Sequence, residues 1–161
     1  MLSQNEINGK VIAITGASGY IGSSLTSELK KYSAKIIRIS RKILTPEDGV
    51  EDWALDLNYL DSWIKIVGKA DIVFHLAGNT SIYNAEYDPQ ESLMSTLLPI
   101  THLISASKKL LLKPKGVFAS TVTVYGLTNK IPVTESVLPN PVTLYDMHKY
   151  FAEQLLLMAN K

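Results

Sequence analysis

A chain of 161 residues, 46% apolar and 19% charged, is long enough to bury the core of one domain, and a net charge of +1 offers no basic field to nucleic acid. It has no cysteine, which excludes disulfides, thiol catalysis and cysteine metal sites, and its three histidines, His75, His102 and His148, fit no metal-ligand spacing. No apolar run reaches the length of a membrane span and the first ten residues lack an apolar signal region, so neither a membrane nor a nucleic-acid partner is expected, and the expected location is cytoplasmic.

The first element is Lys10–Thr15, short, apolar and β-branched, which reads as a buried strand. Gly16-Ala-Ser-Gly19-Tyr-Ile-Gly22 follows and leads into a helical pattern over 20–31. Strand, GxxGxxG and helix place a glycine turn at a helix N-terminus, where free N–H groups and the positive dipole end accept a pyrophosphate. Gly16 allows the tight turn, Gly19 the close approach of backbone to ligand, and Gly22 the packing of helix on strand. The spacing differs from the GxGxxG of the general dinucleotide fingerprint.

Lys35–Ser40 is the second strand. In the dinucleotide fold an acidic residue at this strand end binds the adenosine ribose. Here Ser40 is followed by Arg41 and Lys42, cations that suit a 2′-phosphate, so NADP is favoured over NAD. A loop over 41–51 leads to a third strand, Trp53–Leu57, whose end places Asp56 and Leu57 at the adenine edge. A helix over 59–68, a fourth strand Asp71–Ala77, a long helix over 91–110 and a fifth strand Gly116–Thr121 come next. Pro99 is expected to kink the long helix or start a second one. A proline-rich loop over 129–141 precedes the last helix, 144–160. Strands alternating with helices predict a single Rossmann-like α/β domain over 1–161, a doubly wound parallel sheet in order 3-2-1-4-5.

Tyr145 and Lys149 stand four residues apart and share one face of the last helix. A free tyrosine has a pKa near ~10, so acting as a base at neutrality needs a shift of roughly 3 units, about 4 kcal/mol of differential stabilisation. One lysine plus the positive nicotinamide ring of an oxidised cofactor could supply it. His75, inside a buried strand, reads as a satisfied core histidine. His148, next to Lys149, reads as solvent-exposed on another helix face.

The ordered set Thr15–Gly22, Ala54–Leu57, His75–Gly78, Ser120–Gly126 and Tyr145/Lys149 resembles the extended short-chain dehydrogenases/reductases, and within them the nucleotide-sugar epimerases and dehydratases. The resemblance implies that Gly16, Gly19, Tyr20, Ile21, Gly22, Leu76, Ala77 and Gly78 lie against an NAD or NADP cofactor. It implies that Thr121 is the catalytic hydroxyl, Tyr145 the base and Lys149 its partner, which also holds the nicotinamide ribose. Tyr125 is either an aromatic at the pocket rim or a substrate contact. The implied substrate is a nucleotide-sugar and the implied activity epimerisation. Dehydratases of the family carry Asp-Glu where Val122-Thr123 stand here. An NADPH-dependent reductase, or a dinucleotide-binding module without catalysis, is the alternative. The family also implies a homodimer through helices 91–110 and 144–160, whose apolar positions exceed one core-facing stripe. There are two departures. Thr96 stands where the family commonly has an asparagine, and the chain ends at the YxxxK helix, where relatives continue into a substrate-binding domain. The expectation is therefore one piece of a longer enzyme.

Overall fold

The computed structural model describes residues 3–129 and 131–161, so of the expected loop over 129–141 only Lys130 lies outside the described residues. In chain order the elements are α1 (Gln4–Ile7), β1 (Val11–Thr15), α2 (Tyr20–Leu29), β2 (Lys35–Ser40), β3 (Val50–Ala54), α3 (Leu60–Val67), β4 (Ile72–His75), α4 (Ile82–Tyr87), α5 (Pro89–Leu110), β5 (Lys115–Phe118), a 3-10 segment (Val122–Tyr125) and α6 (Leu144–Ala159). The five strands form one parallel sheet in the order β3-β2-β1-β4-β5, as the strand–helix alternation predicts. The chain divides into two compact units: Met1–Ala77 with Ser105–Ala119, and Gly78–Ile104 with Ser120–Lys161.

The first unit holds the sheet. β1 is its central strand, and Ile12, Ala13, Ile14 and Thr15 are fully buried, the continuous burial of a parallel strand covered on both faces. Ile7, Ile12, Ile14, Ala17, Leu29, Ile36 and Ile72 pack as one apolar cluster. The four-residue helix α1 was invisible as a periodic pattern. It is held by Ser3, whose N–H and hydroxyl both donate to the Glu6 carboxylate, and it contributes Ile7 to that cluster.

The third strand corrects the sequence reading: it runs over Val50–Ala54 rather than Trp53–Leu57. An ion pair sets the register. Arg38 of β2 stands opposite Asp52 and donates to both of its carboxylate oxygens, at 2.7 and 2.8 Å. The same guanidinium reaches Glu47 at 2.7 Å and the Thr45 carbonyl at 2.8 Å, so a buried cation makes four hydrogen bonds. Trp53, within the strand, carries Lys65 over its ring at 4.1 Å and donates its indole N–H to Glu51. Asp56 and Leu57 lie beyond the strand, in the turn into α3. There Asp56 accepts the Asn58 N–H, its carbonyl accepts the Ser62 hydroxyl, and the Leu57 carbonyl accepts the Trp63 indole N–H.

The second unit is built from α4, most of α5, the 3-10 segment and α6. Pro99 lies inside α5, which continues through it as one helix and does not restart. α4 and the 3-10 segment have no counterpart in the expected elements; both pack against α6. α6 begins at Thr143, which accepts the Asp146 N–H while Asp146 accepts the Thr143 N–H, so cap and first turn hold each other.

Candidate functional site

In the first unit the candidate residues gather at the C-terminal ends of β1 and β4. Gly16 sits at φ +68°, and a Cβ there would stand 2.8 Å from the Ala77 nitrogen and 2.9 Å from the Leu76 carbonyl carbon. Only a glycine lets the turn after β1 pass so close to the backbone after β4. A Cβ on Gly22 would meet the Gly16 oxygen at 2.3 Å and the Ala17 Cα at 2.7 Å, which is the close packing of helix on strand expected of it. Gly19 caps α2, and a Cβ there would meet Gly16 O at 3.3 Å and no other atom within 4 Å. Its constraint therefore does not come from crowding inside the protein. The α2 N-terminus carries N–H groups without helical partners, and Tyr20 and Ile21 beside it are largely exposed. This cradle fits a pyrophosphate.

Thr15 is a residue that the sequence reading passed over. Its hydroxyl oxygen accepts the N–H groups of Leu76 and Ala77, each at 3.2 Å, and lies 2.7 Å from His75 Nδ1. A hydroxyl has one proton and two lone pairs, so with both lone pairs engaged the proton goes to Nδ1. His75 is thus neutral, with its hydrogen on Nε2. Its ring lies edge-on to Trp63 at 5.2 Å and stacks on Phe118 at 5.8 Å. The expected core histidine is therefore also the anchor of Thr15, which fixes the backbone after β4. Arg41 and Lys42, past the end of β2, are exposed, whereas Arg38 is committed to Asp52 and Glu47.

In the second unit the structure brings Thr121, Tyr145, Lys149 and Gly78 together in two contacts. Thr121 lies three residues beyond β5 and caps the 3-10 segment, not at a strand end as the sequence suggested; its side chain accepts the Thr123 N–H. Its hydroxyl is hydrogen-bonded to the Tyr145 phenol. Burial pushes that phenol above its ordinary value. The hydrogen bond with Thr121 pulls it back, and the Asp146 carboxylate adds to the rise. Tyr145 in this chain is therefore a protonated phenol at neutrality, and becoming a base requires positive charge beside it.

Lys149, one turn along α6, is 5% exposed. Its ammonium lies 3.6 Å from where a Gly78 Cβ would be, and the Ser95 carbonyl 3.9 Å from that same point. Ser95 is the residue whose carbonyl a helical N–H at position 99 would meet, and Pro99 has none to give. A proline-altered stretch of α5 therefore faces the lysine's neighbourhood, next to the buried Thr96. Burial lowers the Lys149 pKa from 10.5 to about 8. Between about pH 8 and 10.5 the unfolded chain binds the extra proton, so this residue's contribution to stability rises with pH across that window and is unfavourable below it. Lys149→Met is expected to stabilise the chain at pH 7 by about 2–3 kcal/mol and to remove that alkaline rise. Urea unfolding of both proteins at pH 7 and pH 10 checks this; a variant with a lower midpoint at pH 7 would refute it.

His148 corrects the sequence reading. It is buried, and Nδ1 lies 2.9 Å from the Ser92 hydroxyl of α5. Burial holds its imidazole below the ordinary value, against the pull of Glu86. α6 meets α4 through Leu144 N–H and Glu86, α5 through Ser92, and the 3-10 segment through Asp146, so three faces are covered rather than one stripe. Tyr125 is half-buried.

This arrangement has known relatives. UDP-glucose 4-epimerase of Mycoplasma genitalium is 29% identical over 166 residues, covering 90% of this chain and 46% of that protein. The structure of UDP-glucuronic acid 4-epimerase from Bacillus cereus, in complex with UDP-glucuronic acid and NAD, superposes with a TM-score of 0.81 at 26% identity, over 93% of this chain and 52% of that one. A UDP-Glc/GlcNAc 4-epimerase from Campylobacter jejuni shares the fold with a TM-score of 0.85 at 22% identity, over 94% of this chain and 49% of that one. The chain thus spans about half the length of the relatives it matches. Residues 12–161 match the family described as the NAD dependent epimerase/dehydratase family, and the chain belongs to it.

Proposed function

We propose that the chain carries the cofactor-binding and proton-transfer groups of an NAD(P)-dependent UDP-sugar 4-epimerase. The observation that carries this reading is the Thr121–Tyr145 hydrogen bond with Lys149 buried one turn along the same helix. Tyr145 Oη takes the proton of the sugar 4-hydroxyl, and Thr121 Oγ1 hydrogen-bonds the same sugar oxygen as charge develops there. Lys149 favours the phenolate and holds the nicotinamide ribose. The Gly16–Gly22 turn and the α2 N-terminus, with Tyr20 and Ile21, hold the pyrophosphate, Leu76, Ala77 and Gly78 line the cofactor, and Asp56 and Leu57 meet the adenine. When bound, the cofactor supplies a hydride acceptor and donor for the sugar carbon and, in its oxidised form, a positive charge. Val122-Thr123 in place of Asp-Glu supports epimerisation over water loss. The UDP-sugar specificity is taken from the relatives, and a cytoplasmic location belongs to the same proposal.

The exposed Arg41 and Lys42 favour NADP, and with it a reductase as the second reading. NADP is expected to bind the 161-residue chain at least as tightly as NAD, and Arg41→Ala to weaken NADP about tenfold while leaving NAD little changed. Calorimetric titration of both cofactors tests site and preference together. Binding of neither would sink the cofactor reading; equal losses in the variant would remove Arg41 from it.

A homodimer through α5 and α6 completes the proposal. Leu93 and Met94 on α5, with Phe151, Leu157 and Met158 on α6, are exposed apolar side chains on the two helices. Sedimentation at micromolar concentration is expected to show a dimer that Phe151→Asp and Leu157→Asp dissociate. A monomeric parent chain would refute it.

A further inference from the structure

The protons around Tyr145 can be counted. Asp146 is 3% exposed; Oδ2 accepts the Thr143 N–H at 3.2 Å and Oδ1 accepts the Thr123 hydroxyl at 2.5 Å. A carboxylate has no proton to give, so the one Thr123 hydroxyl proton points at Asp146. The Thr123 oxygen can then only accept across its 2.8 Å contact with Thr121 Oγ1, which takes the single Thr121 proton. Thr121 Oγ1 also receives the Thr123 N–H at 3.3 Å. Towards Tyr145 it has a lone pair left and no proton. The chain therefore runs one way: phenol to Thr121, Thr121 to Thr123, Thr123 to Asp146.

We propose that Thr123 and Asp146 are positioning residues that fix the direction of the Thr121–Tyr145 hydrogen bond, phenol to threonine; this rests on Tyr145 being the base assigned above. When Tyr145 ionises, its O–H bond breaks and the proton leaves to solvent. The phenolate then needs a donor. Thr121 turns its own proton to Tyr145, Thr123 turns its own to Thr121, and Asp146 Oδ1 loses its donor. Ionisation of the base thus costs a buried carboxylate one hydrogen bond, in addition to the repulsion between the two charges. The device keeps Tyr145 protonated until positive charge arrives beside it, which ties the base to cofactor occupancy. The other titratable groups around this network among the described residues include Lys149, His148 and Glu153 on α6, the last accepting the hydroxyl of Ser120 beside Thr121, Glu86 of α4 at the Leu144 N–H, and Tyr125 of the 3-10 segment; α5 meets α6 here through the uncharged Ser92. Asp146 is the one group among these that accepts from the hydroxyl chain.

The test reads the phenol itself. The 161-residue chain is labelled with [¹³Cζ]tyrosine and its eight tyrosines are titrated by NMR, with Tyr145 assigned by its loss in Tyr145→Phe. Asp146→Asn keeps an oxygen for the Thr143 N–H and turns an amide N–H towards Thr123, which reverses the chain. Thr123→Val cuts it and frees the Thr121 proton. Each is expected to lower the Tyr145 midpoint by about one pH unit, tenfold in its ionisation constant, and Thr123→Ser to restore the parent value. Midpoints unchanged in Asp146→Asn and Thr123→Val, or a shift in Thr123→Ser equal to that in Thr123→Val, would overturn the inference. If Thr123→Val does not fold, Thr123→Ala, which also removes the hydroxyl and leaves the Asp146 charge in place, decides by the same criterion. Neither cofactor nor sugar is present in this measurement, so a failure of cofactor binding would sink the proposed function without changing its outcome.

Discussion

Gly22→Ala is expected to destabilise the chain by about 3 kcal/mol, roughly 6–12 °C in Tm for a protein of this size, and to weaken cofactor binding at least tenfold. The added methyl would stand 2.3 Å from the Gly16 oxygen and 2.7 Å from the Ala17 Cα, both backbone atoms that no side-chain rotation can clear. Relief requires α2 to lift from β1 or the Gly16 turn to shift. Gly16 has little room on its other side, because even a Cβ there would stand 2.8 Å from the Ala77 nitrogen and 2.9 Å from the Leu76 carbonyl carbon. The displacement therefore passes into the turn proposed to hold the pyrophosphate. Gly116→Ala in β5 is the control: nothing lies within 4 Å of its Cβ position, and its expected effect is within about 0.5 kcal/mol. Thermal unfolding and NAD titration of both variants check the contrast. A Gly22→Ala chain as stable as Gly116→Ala would show that the helix does not pack on this turn.

The strand order was legible because each of its determinants is local. β1 and β2 are short β-branched runs, and the glycine turn fixes which strand feeds which helix. The register of β3 was not legible. Trp53-Ala-Leu looks more like a strand than Val50-Glu-Asp does, but Asp52 is drawn opposite Arg38, and a bidentate ion pair outweighs the apolar preference of three residues. That information sits in two segments that the sequence separates by a loop. α4 and the 3-10 segment escaped for another reason: elements of six and four residues are too short to show a period.

The site shows the same division. Gly16, Gly19, Gly22, Tyr145 and Lys149 are marked by spacing along the chain. Thr15 and His75 are not, because their bond joins β1 to β4 sixty residues apart. Asp146 stood in plain view beside Tyr145, yet a residue one step along a helix points about 100° away and gives no reason to pair it with its neighbour. Only the 3-10 segment, by bringing Thr121 and Thr123 to the two faces of that helix start, connects Asp146 to the phenol. His148 was misread on the same logic. A helix with one buried stripe would expose it, but α6 is covered by α4, α5 and the 3-10 segment at once.

Tyr145→Phe is expected to lower UDP-sugar epimerisation by roughly 10²–10⁴, the usual worth of a positioned acid–base group, while leaving cofactor affinity within about threefold. The substitution removes one oxygen and keeps the buried ring. Thr121 loses a donor but retains Thr123 on its other side, so the local fold should hold. The pH dependence gives the sharper form of the expectation. Burial and Asp146 raise the phenol, so the base is formed only where cationic groups stand beside it. Lys149, one turn along α6 and proposed as such a group, is charged below about pH 8, the value to which burial holds it, and above that it loses its proton and its support for the phenolate. The rate should therefore rise with pH as Tyr145 ionises and cease to gain once Lys149 neutralises. In Lys149→Met the whole rise should move to higher pH, because one of the charges that lowers the phenol is gone at every pH. Undiminished turnover in Tyr145→Phe would remove this residue from the mechanism. A Lys149→Met profile superimposable on that of the parent would leave Tyr145 as the base and require its activating charge to come from the nicotinamide alone.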